Sequence, residues 1–412
     1  MPLQRGLSTG GARGRWQLRM INGRNDKEIY MDHIAAGRVR AEAIEAMVPL
    51  LGDGFGNPQS IHSRGQRAAE ALGRAREQVA SLVGAQPWDV IFTATGSEAN
   101  NMALKGIAPA RKKKSNRIVI SAIEHFSILN PAKTMAKEGY ELVLIPVDSY
   151  GFVSAARLKE EVAKGAALVS IMHANTEIGT IEPIEELSSI CRAADVPFHC
   201  DAWGSAGIIP VDMVKLGAST LAIGAQNFGG PPGAAALILP KGTPMRAFIE
   251  GGVQERGLRA GQENVPAIAG MGAAAELASR ELAANAARLK PIRDALLSRL
   301  PKEIPDTIAT GHPENRLPNH ASFCVEYIEG EGMLLFLDQS EIMAASGSAC
   351  TSKALKGSHV LEAIGVETAM AQGSLVFTLG PENRLEDVDR ILATLKPIVQ
   401  RLREMSPLYK RK

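Results

Sequence analysis

A cysteine in a run of small polar residues is the strongest candidate for chemistry in this sequence. The segment ASGSACTSK covers residues 345–353 and places Cys350 among serine, threonine and glycine, with Lys353 close behind. A thiol beside a lysine in a polar segment ionises readily, and the thiolate is both a nucleophile and a metal ligand. The alternative is a surface cysteine without a role. We favour a reactive thiol, because Cys191 and Cys324 lie in apolar helix or strand patterns and Cys350 does not.

A second group of polar residues follows short apolar runs. In TATGSEANN, Gly96 and Ser97 stand at the start of a predicted helix, where free N–H groups and a hydroxyl suit a phosphate; an ordinary capped helix would give the same pattern. His125 follows one strand, and Asn175 and Asp201 follow two others. A buried aspartate needs a partner, and a protonated ring nitrogen would serve as one. The histidine and the aspartate could equally have purely structural roles.

The turn in LAIGAQNFGGPPGAAALILP, residues 221–240, lies between two apolar runs but contains no lysine, histidine or carboxylate. Such a turn between buried strands is a common position for a catalytic group. Here it offers only the two amides of Gln226 and Asn227. The sequence therefore leaves open whether these side chains do chemistry or fill space by hydrogen bonding.

The elements that must position these groups alternate between strands and helices. Seven apolar segments from about residue 90 read as strands buried on both faces: VIFTA, RIVISA, YELVLIPVD, ALVSIMHAN, VPFHCDA, STLAIGA and AAALILP. Amphipathic segments such as 181–195 separate several of them. This alternation predicts an α/β fold with a mainly parallel sheet, in which ligands bind beyond the carboxyl ends of the strands.

A long alanine- and leucine-rich helix over about 265–300 is expected to lead into a smaller α/β unit. ASFCVEYI and GSLVFTLG read as strands of that unit, and a final helix is predicted near Asn383, with Glu386 facing its first turn. The expected organisation is a loose extension over 1–25, a large domain over 26–270 whose first residues pack on the small domain, and a small domain over 271–412 that carries Cys350.

Composition limits the classes of function. Among 412 residues the net charge is +2, which argues against a nucleic-acid or membrane surface as the main role. No apolar run approaches the roughly 20 residues that span a bilayer. The four cysteines form no CxxC pair, so we expect a reducing, cytoplasmic location. Residues 1–25 contain several arginines and no acid; a transit peptide has this composition, but we expect an upstream start or a loose tail.

Six motifs in order resemble the NifS/IscS type of cysteine desulfurase, in the class V aminotransferase family. They are FGNPQSIHSRG, TGSEANNMALKG, SAIEH, NTEIGTIEPI, GGVQERGLRAGQENV and SGSACTSKALKGSHVL, and the likeness runs from about Ile29 to near the C-terminus. The resemblance implies the type I fold of pyridoxal-phosphate-dependent transferases, with a seven-stranded sheet in the large domain. It also implies a homodimer that delivers sulfur to iron–sulfur scaffold proteins, with a lysine that holds the cofactor and a loop cysteine that carries a persulfide.

Some positions match the family. By resemblance Gly96 and Ser97 would bind the phosphate and Asp201 the pyridine nitrogen, His125 would stack on the ring with Asn175 beside it, and Cys350 would take the sulfur. Others depart from it. Gly224, Gln226 and Asn227 stand where the family has serine, histidine and the Schiff-base lysine. Gly204 replaces a glutamine beside an unusual Trp203, Gln262 a threonine that reaches the partner subunit's phosphate, and Val376 the arginine that grips the substrate carboxylate.

Three functions follow as expectations. In the first, the conventional pyridoxal-phosphate chemistry is lost, and Cys350 accepts sulfur or ligates an iron–sulfur cluster, such as a shared [2Fe-2S] cluster, at the contact with an IscU-type scaffold protein. In the second, the chain is an active desulfurase that converts L-cysteine to L-alanine, or a related class V enzyme with an unusual site. In the third, it is a structural subunit that pairs with an active paralogue.

Overall fold

The structure is a computed structural model, and it describes residues 28–347, 357–407 and 409. The predicted extension over 1–25 and the candidate thiol Cys350 lie outside these residues. The two ends of the segment around Cys350, Gly347 and Gly357, are described.

A mixed seven-stranded sheet forms the centre of the large part of the chain. The strand order is β2-β8-β7-β6-β5-β3-β4, and only β8 runs antiparallel to its neighbours. Each of the seven apolar segments contributes one strand, which confirms the sheet predicted from the sequence. The strands are β2 (Val90–Thr93), β3 (Arg117–Ser121), β4 (Glu141–Ile145), β5 (Leu168–Ser170), β6 (Phe198–Asp201), β7 (Thr220–Gly224) and β8 (Ala235–Ile238).

One strand departs from the expected burial. β4 pairs only with β3 and therefore forms an edge of the sheet. Glu141 and Leu144 on this strand are exposed. The apolar run was thus wrongly read as buried on both faces. An edge position permits this exposure but does not require it, since the other edge strand, β2, is buried throughout.

Helices cover both faces of the sheet, as the strand–helix alternation predicts. They are α1 (Ala41–Leu51), α2 (Ser63–Leu82), α3 (Gly96–Arg111), α4 (Phe126–Lys137), α5 (Ala155–Ala163), α6 (Ile184–Ala193) and α7 (Met213–Leu216). Two apolar clusters lie on opposite sides of the sheet, because successive side chains of a strand point to opposite faces: Val119 belongs to one cluster, whereas Ile118 and Ile120 belong to the other.

The predicted bridging helix is present as α8 (Val265–Glu303). Its first half packs against α1 and α2, and its second half joins a separate apolar cluster with the C-terminal elements. These elements are β9 (Thr307–Ala309), β10 (His320–Val325), α9 (Gly330–Asp338), β11 (Ile342–Met343), α10 (His359–Ala363), α11 (Thr368–Ala371), β12 (Ser374–Thr378) and α12 (Leu385–Met405). β9, β10 and β12 form an antiparallel sheet, and β11 pairs in parallel with β1 (Ile29–Tyr30).

The N-terminal strand β1 thus pairs with a strand of the C-terminal elements. The domain boundary near residue 270 stays a prediction, because α8 runs through it without a break. In the part of the chain that the structure describes, no helix is long and apolar enough to cross a membrane.

The start of the last helix differs from the prediction. α12 begins at Leu385, and a capping box links Arg384 and Asp387. Asn383 instead holds the preceding turn, because its side chain accepts from the N–H of Gly380 at 2.7 Å and donates to the carbonyl of Tyr30 at 3.0 Å. The capping signal in the sequence was displaced by one residue, since Asn383 serves a contact across the fold that the local sequence does not reveal.

Candidate functional site

The candidate site lies at the carboxyl ends of the central strands, where the fold brings together residues far apart in sequence. α3 begins at Gly96 immediately after β2. Thr95 caps this helix by accepting from the N–H of Glu98 at 3.0 Å, and Glu98 accepts in return from the N–H of Ala94 at 2.9 Å. This reciprocal cap accounts for the local sequence, while Ser97 stays exposed. The N–H groups of the first turn nevertheless point out of the helix, as an anion site requires.

The indole of Trp203 lies over the start of α3. A methyl group built on Gly96 would come within 2.7 Å of Cδ1 of the indole, and one built on Gly224 would come within 2.4 Å of Nε1. Both distances are shorter than van der Waals contact allows. The indole is therefore wedged between the end of β7 and the first turn of α3, the position that the family resemblance assigns to the cofactor phosphate.

Asp201, at the end of β6, already has two hydrogen-bond donors. Asn100 donates to Oδ2 at 2.6 Å, and the N–H of Trp203 donates to Oδ1 at 2.9 Å. Asn100 is held in turn by His199, whose Nε2 lies 3.1 Å from its side-chain oxygen. Burial raises the pKa of Asp201, and these two donors oppose the rise. The aspartate is thus satisfied within the protein, without the ring nitrogen that the sequence suggested as its partner.

Asn227 occupies the turn after β7, where Ala225–Phe228 form a short 3-10 helix. Its side-chain amide donates to the backbone carbonyl of Trp203, and its Oδ1 makes no hydrogen bond within the described residues. Gln226 lies beside it and is partly buried. A hydrogen bond therefore links Asn227 in this turn to Trp203. Neither amide, of Gln226 or of Asn227, can act as an amine nucleophile.

No lysine close in sequence takes over this position. Lys215 lies on α7 before β7 and pairs with Asp212 at 4.0 Å, and its side chain is 75% exposed. Lys241 follows β8 and is exposed. These two lysines therefore lie on the surface.

Asn175 and His125 are both engaged locally. The side-chain oxygen of Asn175 accepts from the N–H groups of Glu177 and Ile178 at 2.8 and 3.1 Å, and its amide donates to the carbonyl of Ile123 at 3.1 Å. His125 caps α4 through Nδ1, which accepts from the N–H of Ser127 at 3.1 Å. The ring of His125 is exposed. The amide of Asn175 is thus committed to a turn, whereas the histidine presents its ring to the outside.

Three further positions that depart from the family are ordered. Val376, on β12, is buried and exchanges both backbone hydrogen bonds with Ala345, five residues before Cys350. A methyl group on Gly204 would lie 2.9 Å from Cγ2 of Thr176, so a side chain here would have to displace Thr176. Gln262 is exposed and lines a cavity of about 420 Å³ that Gly54 and Phe55 also line.

A larger cavity of about 480 Å³ lies on the other side of the turn, between the large and small parts of the molecule. Gly204, Gln226 and Asn227 line one wall, and Asn319 lines another. His125, Asn175 and Asp201 do not belong to its lining. The matched family residues thus lie outside this cavity, whereas three of the positions that depart from the family line it.

Sequence reasoning missed Glu177, which lies between the two ends of the segment that carries Cys350. Ser358 donates a hydrogen bond to Oε2 of Glu177, and a methyl group on Gly347 would lie 2.9 Å from the same oxygen. Burial raises the pKa of Glu177 to about 7, and the Ser358 hydroxyl opposes the rise. The signal was available in the motif NTEIGT, where a carboxylate follows Asn175 by two residues.

The other thiols are poor candidates for chemistry. Cys191, Cys200 and Cys324 are free and buried. Burial raises the pKa of Cys191 and of Cys324 to about 12, and it raises that of Cys200 well above its usual value. Within the described residues no group of three or more metal-ligating side chains forms a metal site.

The residues at this site do not fit pyridoxal phosphate in the way that the family resemblance implies. The amine that would hold it is replaced by an amide at Asn227, and asparagine cannot form the covalent link. The indole of Trp203 covers the helix start at Gly96 that would receive the phosphate. Asp201, His125 and Asn175 keep the residue types that the resemblance assigns to the surroundings of the ring.

The mainly parallel sheet, the long connecting helix and the polar strand ends define an α/β protein with the type I transferase fold. A family profile described as Aminotransferase class-V matches residues 29–391. The chain belongs to this family and is of the NifS/IscS type.

Two named relatives illustrate the likeness. The chain is 44% identical over 384 residues to cysteine desulfurase IscS 1 of Archaeoglobus fulgidus, covering 93% of this chain and 100% of that protein. It is 36% identical over 383 residues to cysteine desulfurase NifS of Azotobacter vinelandii, covering 93% and 95% of the two chains.

Solved structures show the same fold. A NifS-like protein superposes with a TM-score of 0.85 at 33% identity, covering 91% of this chain and 100% of that one. An X-ray structure of a NifS-like protein from Rickettsia africae gives a TM-score of 0.82 at 30% identity, covering 90% and 99%. The likeness extends over both the large and the small parts of the molecule.

Proposed function

We propose that this protein acts in iron–sulfur cluster assembly as a sulfur-handling member of the cysteine desulfurase family that no longer performs pyridoxal-phosphate chemistry. The observation that carries the proposal is the position of Trp203. Its indole lies within 2.7 Å of a methyl group built on Gly96 and within 2.4 Å of one built on Gly224. A phosphate and this indole cannot occupy the same space at the start of α3.

The substitutions around the indole agree with each other. The resemblance assigns a serine to position 224, and a side chain there would collide with Trp203. It assigns a lysine to position 227, where the Asn227 amide instead donates to the carbonyl of Trp203. Glycine at position 224 lacks the side chain that would collide with the indole. Asparagine at position 227 adds a hydrogen bond to the carbonyl of Trp203. Together they indicate a repacked site rather than a single lost residue.

The substrate side of the site is altered too. Val376 stands where the resemblance places an arginine, and valine cannot bind a carboxylate by paired hydrogen bonds. Val376 is buried on β12 against Ala345. Residue 376 therefore offers no charged group to bind an amino-acid carboxylate, just as residue 227 offers no amine to bind the cofactor.

Cys350 keeps a role in this proposal because the motif SGSACTSKALKGSHVL is retained. Its thiolate would attack the terminal sulfur of a donor persulfide, form a new persulfide and release the donor thiolate, so the step needs no external oxidant. Alternatively, the same thiolate would ligate iron in a [2Fe-2S] cluster shared with an IscU-type scaffold. Both roles use Cys350 at a contact with a partner protein.

A homodimer is part of the proposal, and the surface between α1 and α2 supports it. Leu51, Phe55 and Ile61 lie in or next to this connection and are 68%, 60% and 92% exposed. Exposed apolar side chains that occur together favour a protein interface. The exposed Gln262 lines the same cavity as Phe55, and the resemblance directs position 262 toward the partner subunit.

A second candidate function is an active cysteine desulfurase or a related class V enzyme. It is favoured by the relatives named cysteine desulfurase and by the retained Asp201 and His125. Against it, the partners of Asp201 are all supplied by the protein, and His125 has a structural role as the cap of α4. These observations explain both residues without a cofactor.

One experiment tests the two candidates together. The protein is purified anaerobically after co-expression with an IscU-type scaffold, and iron, acid-labile sulfide and pyridoxal phosphate are quantified. We expect iron and sulfide with the wild-type pair, their loss with Cys350→Ala, and no pyridoxal phosphate in either. Purified protein is then incubated with L-cysteine and pyridoxal phosphate. Release of alanine at enzymatic rates would overturn the proposal in favour of the second candidate.

A further inference from the structure

A buried carboxylate lines the cavity of about 420 Å³ that the connection between α1 and α2 also lines. This residue, Glu263, is only 7% exposed. Within the part of the chain that the structure describes, its Oε2 has no hydrogen-bond donor and its carboxylate has no ion pair. Burial of a charged carboxylate without a partner is strongly unfavourable. The site at Glu263 is therefore incomplete in a single copy of the chain.

Two arginines near this carboxylate are engaged elsewhere. The pKa of Arg259 is raised, first by its hydrogen bond to Glu98 and further by the charge of Glu263. Its guanidinium is committed to Glu98, with Nε 2.7 Å from the carboxylate. Arg64 lines the cavity, but its guanidinium carbon lies over the Phe55 ring, 4.5 Å from the centroid. Neither arginine forms an ion pair with Glu263.

The adjoining surface carries arginines that have no acidic partner. A second cavity of about 430 Å³ shares Leu50 and Gly54 with the first, and Arg67 and Arg74 of α2 line it. Both arginines are exposed, and within the described residues neither side chain makes a hydrogen bond or an ion pair. One surface of the molecule thus combines a buried acid that lacks a cation with exposed cations that lack an acid.

Such a surface complements itself across a two-fold axis. In a symmetric dimer the same surface of both copies is in contact, so a contact from one residue to another is returned by the second copy. An acid and a base that do not pair within one copy can then pair twice between two copies. The exposed Phe55 and Ile61 beside the cavity add apolar area that the same contact would bury.

Arg67 suits the cavity of Glu263 better than Arg74 does. Arg64 and Ala68, which lie on either side of Arg67 along α2, line that cavity, and its lining from α2 ends at Ala68. Arg74 lies almost two helical turns further along the same helix. Position along α2 therefore selects Arg67 as the cation.

We propose that Glu263 is one half of an ion pair between subunits, and that Arg67 of a second copy of this chain enters the cavity and supplies the other half. The inference rests on the proposed homodimer and adds the charges that fix how the two copies meet. The pair forms twice in a symmetric dimer. Since a charge left alone in a buried interface is unfavourable, the pair selects one orientation of the two copies.

Charge exchange in the full-length protein tests the pair. Glu263→Arg brings two arginines together, and Arg67→Glu brings two glutamates together. Each variant alone is expected to raise the dimer dissociation constant, measured by sedimentation velocity, by about thirtyfold or more. When the two variants are mixed, the heterodimer has one native pair and one reversed pair, so it is expected to form in preference to both homodimers. Native mass spectrometry, with an affinity tag on one variant, separates the three dimers.

Arg74→Glu is the matched control, because Arg74 is also an exposed arginine of α2 that lines the second cavity. It is expected to leave the dissociation constant of the dimer unchanged and to show no preference for Glu263→Arg. If Glu263→Arg fails to fold, Glu263→Gln keeps the volume of the side chain. Glu263→Gln is expected to weaken the wild-type dimer but to strengthen the Arg67→Glu dimer, because it removes an attraction in one and a repulsion in the other.

A statistical mixture of the three dimers would overturn the proposal, as would effects of Glu263→Gln that have the same sign in both backgrounds. Weaker dimers of the Glu263 variants without rescue by Arg67→Glu would also overturn it, since another cation would then occupy the cavity. A monomeric wild type would contradict the homodimer itself, whereas a dimeric wild type without preferential pairing contradicts the ion pair alone. The role of Cys350 is tested separately by cluster assembly.

Discussion

The indole of Trp203 occupies the space that a side chain at residue 224 would need, since a methyl group on Gly224 would lie 2.4 Å from its Nε1. The two residues are 21 positions apart and on neighbouring strand ends. Both residues depart from the family pattern, and together they form one packing arrangement. A large side chain and a glycine compensate each other, as interiors at crystal-like density require.

The first prediction tests this compensation by stability. Gly224→Ser adds a side chain against the indole, and overpacking of this kind costs about 1–3 kcal/mol. Trp203→Ala should remove the conflict, so the same serine is expected to cost less in the Trp203→Ala background. Urea unfolding of the four proteins in the cycle gives the coupling free energy.

Gly73→Ser is the control for this cycle, because a methyl group on Gly73, a half-buried residue of α2, would meet nothing within 4 Å. It is expected to leave the free energy of unfolding unchanged within about 0.5 kcal/mol, or to raise it slightly, since glycine is a poor helix former. Additive effects of Gly224→Ser and Trp203→Ala would contradict the proposed packing.

The second prediction concerns cofactor binding. Asn227→Lys restores the amine but leaves the indole over Gly96, so this variant is expected to retain no pyridoxal phosphate after gel filtration. Trp203→Ala combined with Asn227→Lys opens the helix start and is expected to retain the cofactor. Quantitation of bound pyridoxal phosphate checks both. Equal retention by Asn227→Lys and the double variant would show that the indole is no obstacle.

The sequence was sufficient for the sheet and for the family, because seven apolar segments at regular spacing and six motifs in order leave few other folds. It was insufficient for Asp201, whose partner Asn100 lies 101 residues away. It also missed Glu177, whose Oε2 accepts from Ser358, a residue 181 positions away. Contacts between distant segments are set by packing, and no local pattern encodes them.

The orientation of the Trp203 ring is a further feature that the sequence alone could not predict. The sequence marked it as unusual, but it could not say whether the ring points toward the cofactor position or away from it. Only its distances to Gly96 and Gly224 decide this. The glycine at 224 carried the necessary hint, because a missing side chain in a motif that normally has one indicates that another group fills the space.

The third prediction follows from Glu182, a buried carboxyl whose Oε2 accepts from the N–H of Val153. Burial raises its pKa from 4.5 to about 8, so between these values the folded state holds a proton that the unfolded state has released. The neutral Glu182 carboxyl therefore stabilises the fold at low pH. As pH rises toward 8 this contribution is lost, and the free energy of unfolding falls by up to about 1.4 kcal/mol per pH unit.

Glu182→Gln removes this titration. The variant is expected to gain stability relative to wild type as pH rises from 5 to 8, with a constant difference above pH 9. Urea unfolding at each pH gives the comparison, and Glu70→Gln, on an exposed position of α2, serves as the control. A difference that shrinks as pH rises would show that Glu182 is stabilised in its charged form.

The fourth prediction addresses the surface between α1 and α2. Ile61 is 92% exposed, so burying it in a dimer would remove a large apolar side chain from water. Ile61→Glu is expected to shift the protein from dimer to monomer in size-exclusion chromatography with light scattering. Val214→Glu, at a 78% exposed position on α7, is the matched control and should leave the mass unchanged. A monomeric wild type would contradict the homodimer, and a dimer unaffected by Ile61→Glu would place the interface elsewhere.

The fifth prediction separates the four thiols. Cys191, Cys200 and Cys324 are buried with raised pKa values, so they should not react with a thiol reagent in the folded protein. Cys350 is expected to react, because its neighbours in sequence are small and polar residues. Titration with Ellman's reagent under reducing, metal-free conditions should therefore find one thiol per native chain and all four in urea. Cys350→Ala should give none in the native state, and one remaining reactive thiol in that variant would transfer the candidate chemistry to another cysteine.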